Sequence, residues 1–289
     1  MLSIIIPTYN RHSSTNRAIY SILEQDVDVE IIVIDDASDR AYEIPTNHRN
    51  NKQIILSRLE TNKGPAAARN FGIKIASKPL ISFLDSDDYL LPDTLNKRIE
   101  FAIKNGILTP EGKKLIIGCS WHEKDNDNQI INTRNPKSSA TQDDLFSGCW
   151  FCPGSAIIMN KDYLSDKSNS YDENLKRLED LDLFMRLALS GSNYIAHHLI
   201  GTSIATSDSR NPDIVIKACN DIRDKYLNSQ SLLSLKRQSY LKSYLFYELS
   251  RAYISKHEYH KALDHLLKSF IKKPRLTLYP GPGWASKQN

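Results

Sequence analysis

The chain has 289 residues, 40% of them hydrophobic and 25% charged, a balance that suits a globular protein able to bury a sizeable core. Its longest apolar runs are a handful of residues, far short of the ~20 that a spanning helix requires. The formal net charge of +4 is uneven: residues from 211 onward carry 14 Lys+Arg against 6 Asp+Glu, which leaves 24 against 28 for residues 1–210. A basic C-terminal part reads either as a solvated helical face or as a surface drawn to an anionic membrane or an acidic partner protein. No nucleic-acid partner is expected, because no basic run is interleaved with aromatics that could stack on bases. The four cysteines include Cys149 and Cys152 at x-x spacing, yet a zinc site would need a second pair or partnered histidines. Strand-like residues from Leu2, with no basic stretch ahead of them, lead to the expectation of a cytoplasmic protein.

In chain order, Ser3–Ile6 is an apolar run closed by Pro7 and Asn10, which predicts a strand entering a loop. Ala18, Ile19, Ile22 and Leu23 recur at helical spacing behind a cap at Ser13 or Ser14. Glu30–Asp35 is again a buried strand, ending in the carboxylates Asp35 and Asp36, so the two strands and their crossover helix make a βαβ unit. Gln53–Ser57 is a third strand. Asn62 to Asn70 opens a helix with Pro65 in its first turn, a kind of N-terminus that can hold phosphate. Leu80–Leu84 is a short apolar run that stops at Asp85, Ser86, Asp87 and Asp88. Ligands of open α/β sheets bind just beyond such strand ends. Two carboxylates two residues apart can share a hard cation such as Mg²⁺ or Mn²⁺, or Asp88 or Ser86 simply caps a following helix with no metal involved. A helix over about 92–105 and a strand over 115–121 follow. Residues 124–144 are polar and aperiodic, which predicts a mobile loop that can act as a lid or touch an acceptor. Cys152, Pro153, Gly154 and Ser155 form a turn feeding another strand. Leu178–Ala188 is a helix by period, with Gly191 as its stop, and its acidic start has an ordinary explanation in the helix dipole. From about Asn211 the pattern is helical only. Leu249 to Pro274 resembles one tetratricopeptide unit with Ser250 where that repeat usually has Gly, and one such unit must dock on the main domain or on a partner. The tail from Tyr279 to Trp284 is rich in Pro and Gly and reads as irregular.

Pro7-Thr-Tyr9-Asn10, Asp35-Asp36-Ala-Ser38, Asn62-Lys63-Gly64-Pro65 through Arg69-Asn70, Asp85-Ser86-Asp87-Asp88 and Glu179-Asp180-Leu-Asp182, in that order and spacing, resemble the family 2 inverting glycosyltransferases of GT-A fold. The resemblance covers residues 1 to about 205. It implies an α/β domain over residues 1–210, with a Rossmann-like, mainly parallel mixed sheet that binds a nucleotide-sugar; the resemblance does not reach the α-helical extension over 211–289, which is read from the helical pattern there. It also implies that Pro7, Tyr9 and Asp36 line the nucleoside pocket, with Asp36 accepting a hydrogen bond from the base, which favours uracil. Lys63 and Arg69 would offset donor phosphate charge. Asp85, with Ser86 beside it, would contact ribose or metal, and Asp87 would hold Mn²⁺ or Mg²⁺ at the diphosphate. Asp180 would be the catalytic base of a single inverting displacement, with Glu179, Gly154 and Arg186 on the acceptor side or supporting it. One departure is that the histidines His197 and His198 lie earlier than the family's metal-reaching histidine. The function implied is transfer from a UDP-sugar to a glycan or lipid-linked acceptor in bacterial surface polysaccharide synthesis (capsule or lipopolysaccharide), in the cytoplasm or at the inner face of the plasma membrane. Two other readings stand beside it: a sugar-nucleotide nucleotidyltransferase, which would want a Gly-rich loop near Asn10 that the chain lacks, and a catalytically silent glycan-binding scaffold.

Overall fold

The computed structural model describes residues 1–149, 153–206, 211–228 and 233–273. Its elements are β1 (Leu2–Thr8), α1 (His12–Leu23), β2 (Val29–Asp35), β3 (Ile54–Arg58), α2 (Pro65–Ile75), β4 (Leu80–Phe83), β5 (Tyr89–Leu90), α3 (Leu95–Lys104), β6 (Leu115–Lys124), β7 (Ile130–Arg134), β8 (Ser139–Ala140), β9 (Ile158–Asn160), α4 (Lys161–Ser165), α5 (Glu179–Leu189), β10 (Asn193–Ala205), α6 (Pro212–Tyr226), α7 (Leu235–Ser255) and α8 (Tyr259–Lys272). The strands form one mixed sheet in the order β3-β2-β1-β4-β9-β6-β10-β5, with β7 added to β6 and β8 to β10. The long ladders β1/β2, β2/β3, β1/β4 and β6/β10 are parallel, and the short ones are antiparallel.

The pattern of β1 explains the layering. Every residue of β1 and β2 is buried, as expected of parallel strands covered on both faces. Alternate residues enter opposite cores: Ile5 belongs to the cluster that holds Phe83, Phe184 and buried residues of α2, α5, α6 and α7, while Ile4 and Ile6 belong to the one that holds Ile19 and Ile22 of α1 and Ile99 of α3. Val215, Ile222, Leu241 and Leu249 of the C-terminal helices belong to the same cluster as Phe184, so those helices help cover the sheet domain's own core. α7 and α8 form the helical hairpin expected from the tetratricopeptide-like pattern. The Ser250 hydroxyl, standing in for the usual Gly, is buried and donates to the Ala262 carbonyl at 2.8 Å. Pro274, Cys152 and the tail from Tyr279 lie outside the described residues.

Two local expectations need correction. Residues 124–144 are not a featureless loop: a turn at Asp125–Gln129 returns the chain into β7, and β8 adds to β10. The alternation that would reveal β7 is absent because it lies at an edge, where Ile130 and Ile131 are both exposed and backbone pairing does the holding. The α1 cap is also different, since the helix begins at His12 without a side-chain cap and Ser14 and Thr15 bond back to the Arg11 carbonyl.

The sheet domain and the C-terminal helices are tied at Asp182, which is fully buried. Its carboxylate accepts from Arg186 at 2.8 Å and from both Lys225 and the Tyr226 hydroxyl at 2.7 Å. Asp182→Ala removes the acceptor these donors share, although Lys225 keeps Asp172 and Arg186 keeps two carbonyls, and should cost about 2–4 kcal/mol in urea unfolding, less than a fully buried pair because Lys225 keeps solvent contact. Asp221→Ala, which removes an exposed ion pair with Lys217, should stay within about 0.5 kcal/mol of the parent. Equal stability of the two variants would show that the Asp182 tie does not hold the helices.

Candidate active site

The site stands at the carboxyl ends of β1, β2 and β4, where the parallel ladders stop. A cleft of about 390 Å³ opens there, lined among others by Pro7, Tyr9, Asp36, Arg69, Asp85, Ser86, Asp87 and Glu179. Eight residues drawn from distant parts of the sequence are therefore brought together. Asp36 extends from β2 and is nearly inaccessible. Its two oxygens accept the backbone N–H groups of Lys63 at 2.8 Å and Gly64 at 2.7 Å, which pins the start of α2 to the end of β2. Gly64 sits at φ +92°, a conformation that strains any residue with a Cβ. Lys63 itself is exposed and does not line the cleft; its carbonyl accepts from Lys176. The neighbouring Asp35 is a structural anchor: although burial pushes its carboxyl up, bonds from Ser38, the Tyr42 N–H and Arg58 hold it below the usual range.

The loop after β4 is organised by Ser155, next to Gly154. Its hydroxyl donates to the buried Asp88 and accepts the Asp85 N–H at 3.0 Å, while the other Asp88 oxygen accepts the Ala205 N–H at the end of β10. Burial first, then the charges of Asp85 and Asp87, push Asp88 well above the carboxylate range. Asp85 and Asp87 are left facing the cleft. Asp85 is paired with Arg69 at 2.6 Å, and Asp87 with Arg11 at 2.6 Å. Asp87 is raised by burial and by Asp85, against the pull of Arg11.

Arg69 is the centre of the site. It is 3% exposed, and its guanidinium reaches Asp85 on one side and Glu179 at 3.2 Å on the other, over the Tyr171 ring. Glu179 and Asp180 open α5, entered through Leu178 at φ +62°, a sparsely populated conformation for a leucine. The Asp180 Oδ1 atom and the Tyr171 hydroxyl are both buried without a well-formed hydrogen bond among the described residues, and the Tyr171 hydroxyl lies close enough to Asp180 to draw its carboxyl down. Burial raises Asp180, Arg69 opposes it, Glu179 and Asp85 add to it, and the carboxyl is pushed up to about 6. A Cβ built on Gly154 would stand 3.7 Å from Asp180, so this glycine lies directly over the carboxylate.

Arg186 is placed elsewhere than the acceptor side: it binds Asp182 and the Ser168 and Ser170 carbonyls on the far flank of α5. His197 packs edge-on against Phe101 and His198 bonds Ser138, and neither lines the cleft. Sequence reasoning missed Arg11, Ser155, Tyr171 and Arg177, the last a lining residue next to Glu179. Arg11 follows Tyr9-Asn10 and Arg177 precedes Glu179-Asp180, so adjacency to a motif was the one available signal.

With this geometry in place the chain's kinship is informative. It belongs to glycosyl transferase family 2, whose family model matches residues 3–166. An uncharacterized glycosyltransferase of Haemophilus influenzae is 41% identical over 115 residues, covering 39% of this chain and 46% of that one. The UDP-Glc:alpha-D-GlcNAc-diphosphoundecaprenol beta-1,3-glucosyltransferase WfgD of Escherichia coli is 32% identical over 150 residues, 52% of this chain and 56% of WfgD. The chain thus spans about half the length of these two relatives. Among solved structures, Staphylococcus aureus TarS residues 1–349 with UDP superposes with a TM-score of 0.61 at 18% identity, over 95% of this chain and 92% of that one. That likeness establishes the GT-A type of fold.

The raised Asp180 carboxyl has a consequence for stability. Unfolded, it releases its proton near its ordinary 3.8; folded, it holds it to about 6, so its ionisation destabilises the fold as pH rises through that window. Asp180→Asn should therefore melt about 2 °C or more above the parent at pH 7.5, with the gap closing as pH falls toward 4. A pH-independent loss of Tm would contradict the assignment.

Proposed function

We propose that the chain is an inverting transferase that moves a sugar from a UDP-sugar to a hydroxyl of a glycan or lipid-linked acceptor, in the making of a bacterial surface polysaccharide. The observation that carries the reading is the unpartnered Asp180 Oδ1 beside the donor cleft, on a carboxyl near 6. Ionised at neutral pH yet more basic than a free carboxylate, Asp180 can accept the acceptor's hydroxyl proton as its oxygen attacks the anomeric carbon. The new C–O bond forms on one face while the bond to the diphosphate breaks on the other, so the configuration inverts and UDP leaves. The close approach of Gly154 supports an acceptor entering on that side, because a larger residue would stand over the base.

The cleft favours a nucleoside diphosphate. Pro7, Tyr9 and Asp36 provide a nucleoside-sized wall, and Arg11, Arg69 and Arg177 are cations within reach of phosphate charge. Uracil is the base we assign, since WfgD is named for a UDP-Glc donor and TarS is solved in complex with UDP-GlcNAc. WfgD is also named for a diphosphoundecaprenol acceptor, which motivates the lipid-linked class here. A divalent cation, Mn²⁺ or Mg²⁺, fits the donor set: Asp85 and Asp87 are hard oxygen ligands facing the cleft whose mutual repulsion a cation would relieve. No group of three acidic, His or Cys side chains that could hold a metal occurs among the described residues, so diphosphate and water would complete its shell. Bound there, such an ion supplies Lewis-acid stabilisation of the leaving diphosphate.

Asp180→Asn should bind UDP-sugar within about twofold of the parent and lose turnover by about 10²–10⁴-fold, the range for a general base. Asp87→Asn should lose both binding and turnover. Undiminished transfer by the Asp180→Asn protein would remove Asp180 as the base.

A further inference from the structure

Among the described residues, α8 has two apolar faces of which one is covered. Ala262 and Ser269 are buried against α7, where the Ser269 hydroxyl donates to the Ser243 carbonyl and the Ser243 hydroxyl to the Ser269 carbonyl. Around the helix from that contact, Tyr259, Leu263, Leu267, Phe270 and Ile271 fall on one stripe by their spacing of about 3.6 residues per turn, and they are between 48 and 72% exposed. Ile254, at the end of α7, adds a sixth exposed apolar side chain near that end of the hairpin. Monomeric proteins seldom leave contiguous apolar patches in water without a use for them. On the helix face next to the stripe stand Lys261, Lys268 and Lys272, all exposed, with Lys261 paired to Glu258 and Lys268 to Asp264 in surface ion pairs that an anionic surface can exchange.

We propose that this stripe is where the protein lies on an anionic lipid bilayer, the apolar side chains entering the headgroup boundary and the flanking lysines facing lipid phosphates. Charge selects this occupant. α8 itself carries Lys261, Lys268 and Lys272 against one carboxylate, Asp264, and residues from 211 onward carry 14 Lys+Arg against 6 Asp+Glu, so a negative surface attracts the part of the chain that holds the stripe. A second copy packed stripe to stripe would instead bring Lys261, Lys268 and Lys272 of both chains to one seam, with Asp264 as the single carboxylate each helix offers there. No described helix is long and apolar enough to cross a membrane, so the contact is one of lying on the surface. Docking of this kind brings the cleft to the surface where lipid-linked acceptors reside, but it does not depend on turnover and can be tested apart from it.

The test is sedimentation of the full chain with vesicles made of equal parts phosphatidylethanolamine and phosphatidylglycerol, with phosphatidylcholine vesicles as the neutral control. Binding to the anionic vesicles is expected, weakening as salt screens the lysines. Leu263→Glu with Leu267→Glu should reduce it by about tenfold or more, and Lys268→Glu with Lys272→Glu by several-fold. Both sites are exposed, so melting temperature and UDP binding should match the parent's and separate this result from a folding defect. Absence of parent binding, equal binding to neutral vesicles, or parent-like binding by the leucine variant would each overturn the proposal. So would a salt-insensitive dimer that dissociates in the leucine variant without any vesicle binding.

Discussion

A single buried cation holds the site together. Arg69, rising from α2, reaches forward to Asp85 on the loop after β4 and sideways to Glu179 at the start of α5. Two segments almost a hundred residues apart are thereby fixed to one guanidinium, whose planar fork can serve both carboxylates where a lysine would offer a point charge. The same cation sets the chemistry. Burial and two neighbouring carboxylates drive Asp180 toward the neutral acid, and Arg69 is the chief opposing influence. Without it the carboxyl of the candidate base would be pushed up further, so the group that shapes the cleft also favours the ionised Asp180.

Around this centre the structure is a set of restraints on short loops. Asp36 fastens the start of α2 through two backbone amides, Ser155 fastens the acidic loop through Asp85 and Asp88, and Asp182 fastens α5 to α6. Each restraint uses a carboxylate inside the family motifs. Asp36, Asp88 and Asp182 take up N–H, hydroxyl and ammonium groups that fix neighbouring segments, Asp36 and Asp88 while also lining the cleft, whereas Asp85 and Asp87 face the cleft beside arginines and the candidate base Asp180 keeps a buried oxygen unpaired. The C-terminal helices take part through Lys225 and Tyr226 and through the core they share with Phe184, so the helical extension braces the helix that carries the candidate base.

How far the sequence could be read follows from the range of the forces involved. Buried parallel strands such as Leu2–Thr8 and Val29–Asp35 announce themselves, because burial on both faces leaves an unbroken apolar run. The cleft residues Pro7, Asp36, Asp85 and Asp87 were legible for the same reason, sitting where those runs end. β7 was not, because an edge strand held by backbone pairing keeps outward isoleucines and polar neighbours without a period. Lys63 was expected near the donor, and Arg186 on or behind the acceptor side, from the family resemblance. Only the fold reveals that Lys63 contributes its N–H and carbonyl rather than its side chain, and that Arg186 is spent on Asp182 and two carbonyls. The Arg11 to Asp87 pair spans 76 positions and carries no local signal, since nothing in a loop arginine specifies a partner so distant.

The central claim, a donor cleft for a uridine diphosphate, is tested most directly by calorimetric titration of UDP, GDP, CDP and dTDP into the protein with Mn²⁺ present and again with EDTA. The account predicts selective UDP binding that is lost when the metal is withdrawn. Equal binding of all four nucleotides, or none of any, would contradict the assignment of Asp36, Asp85 and Asp87 to a UDP-sugar site.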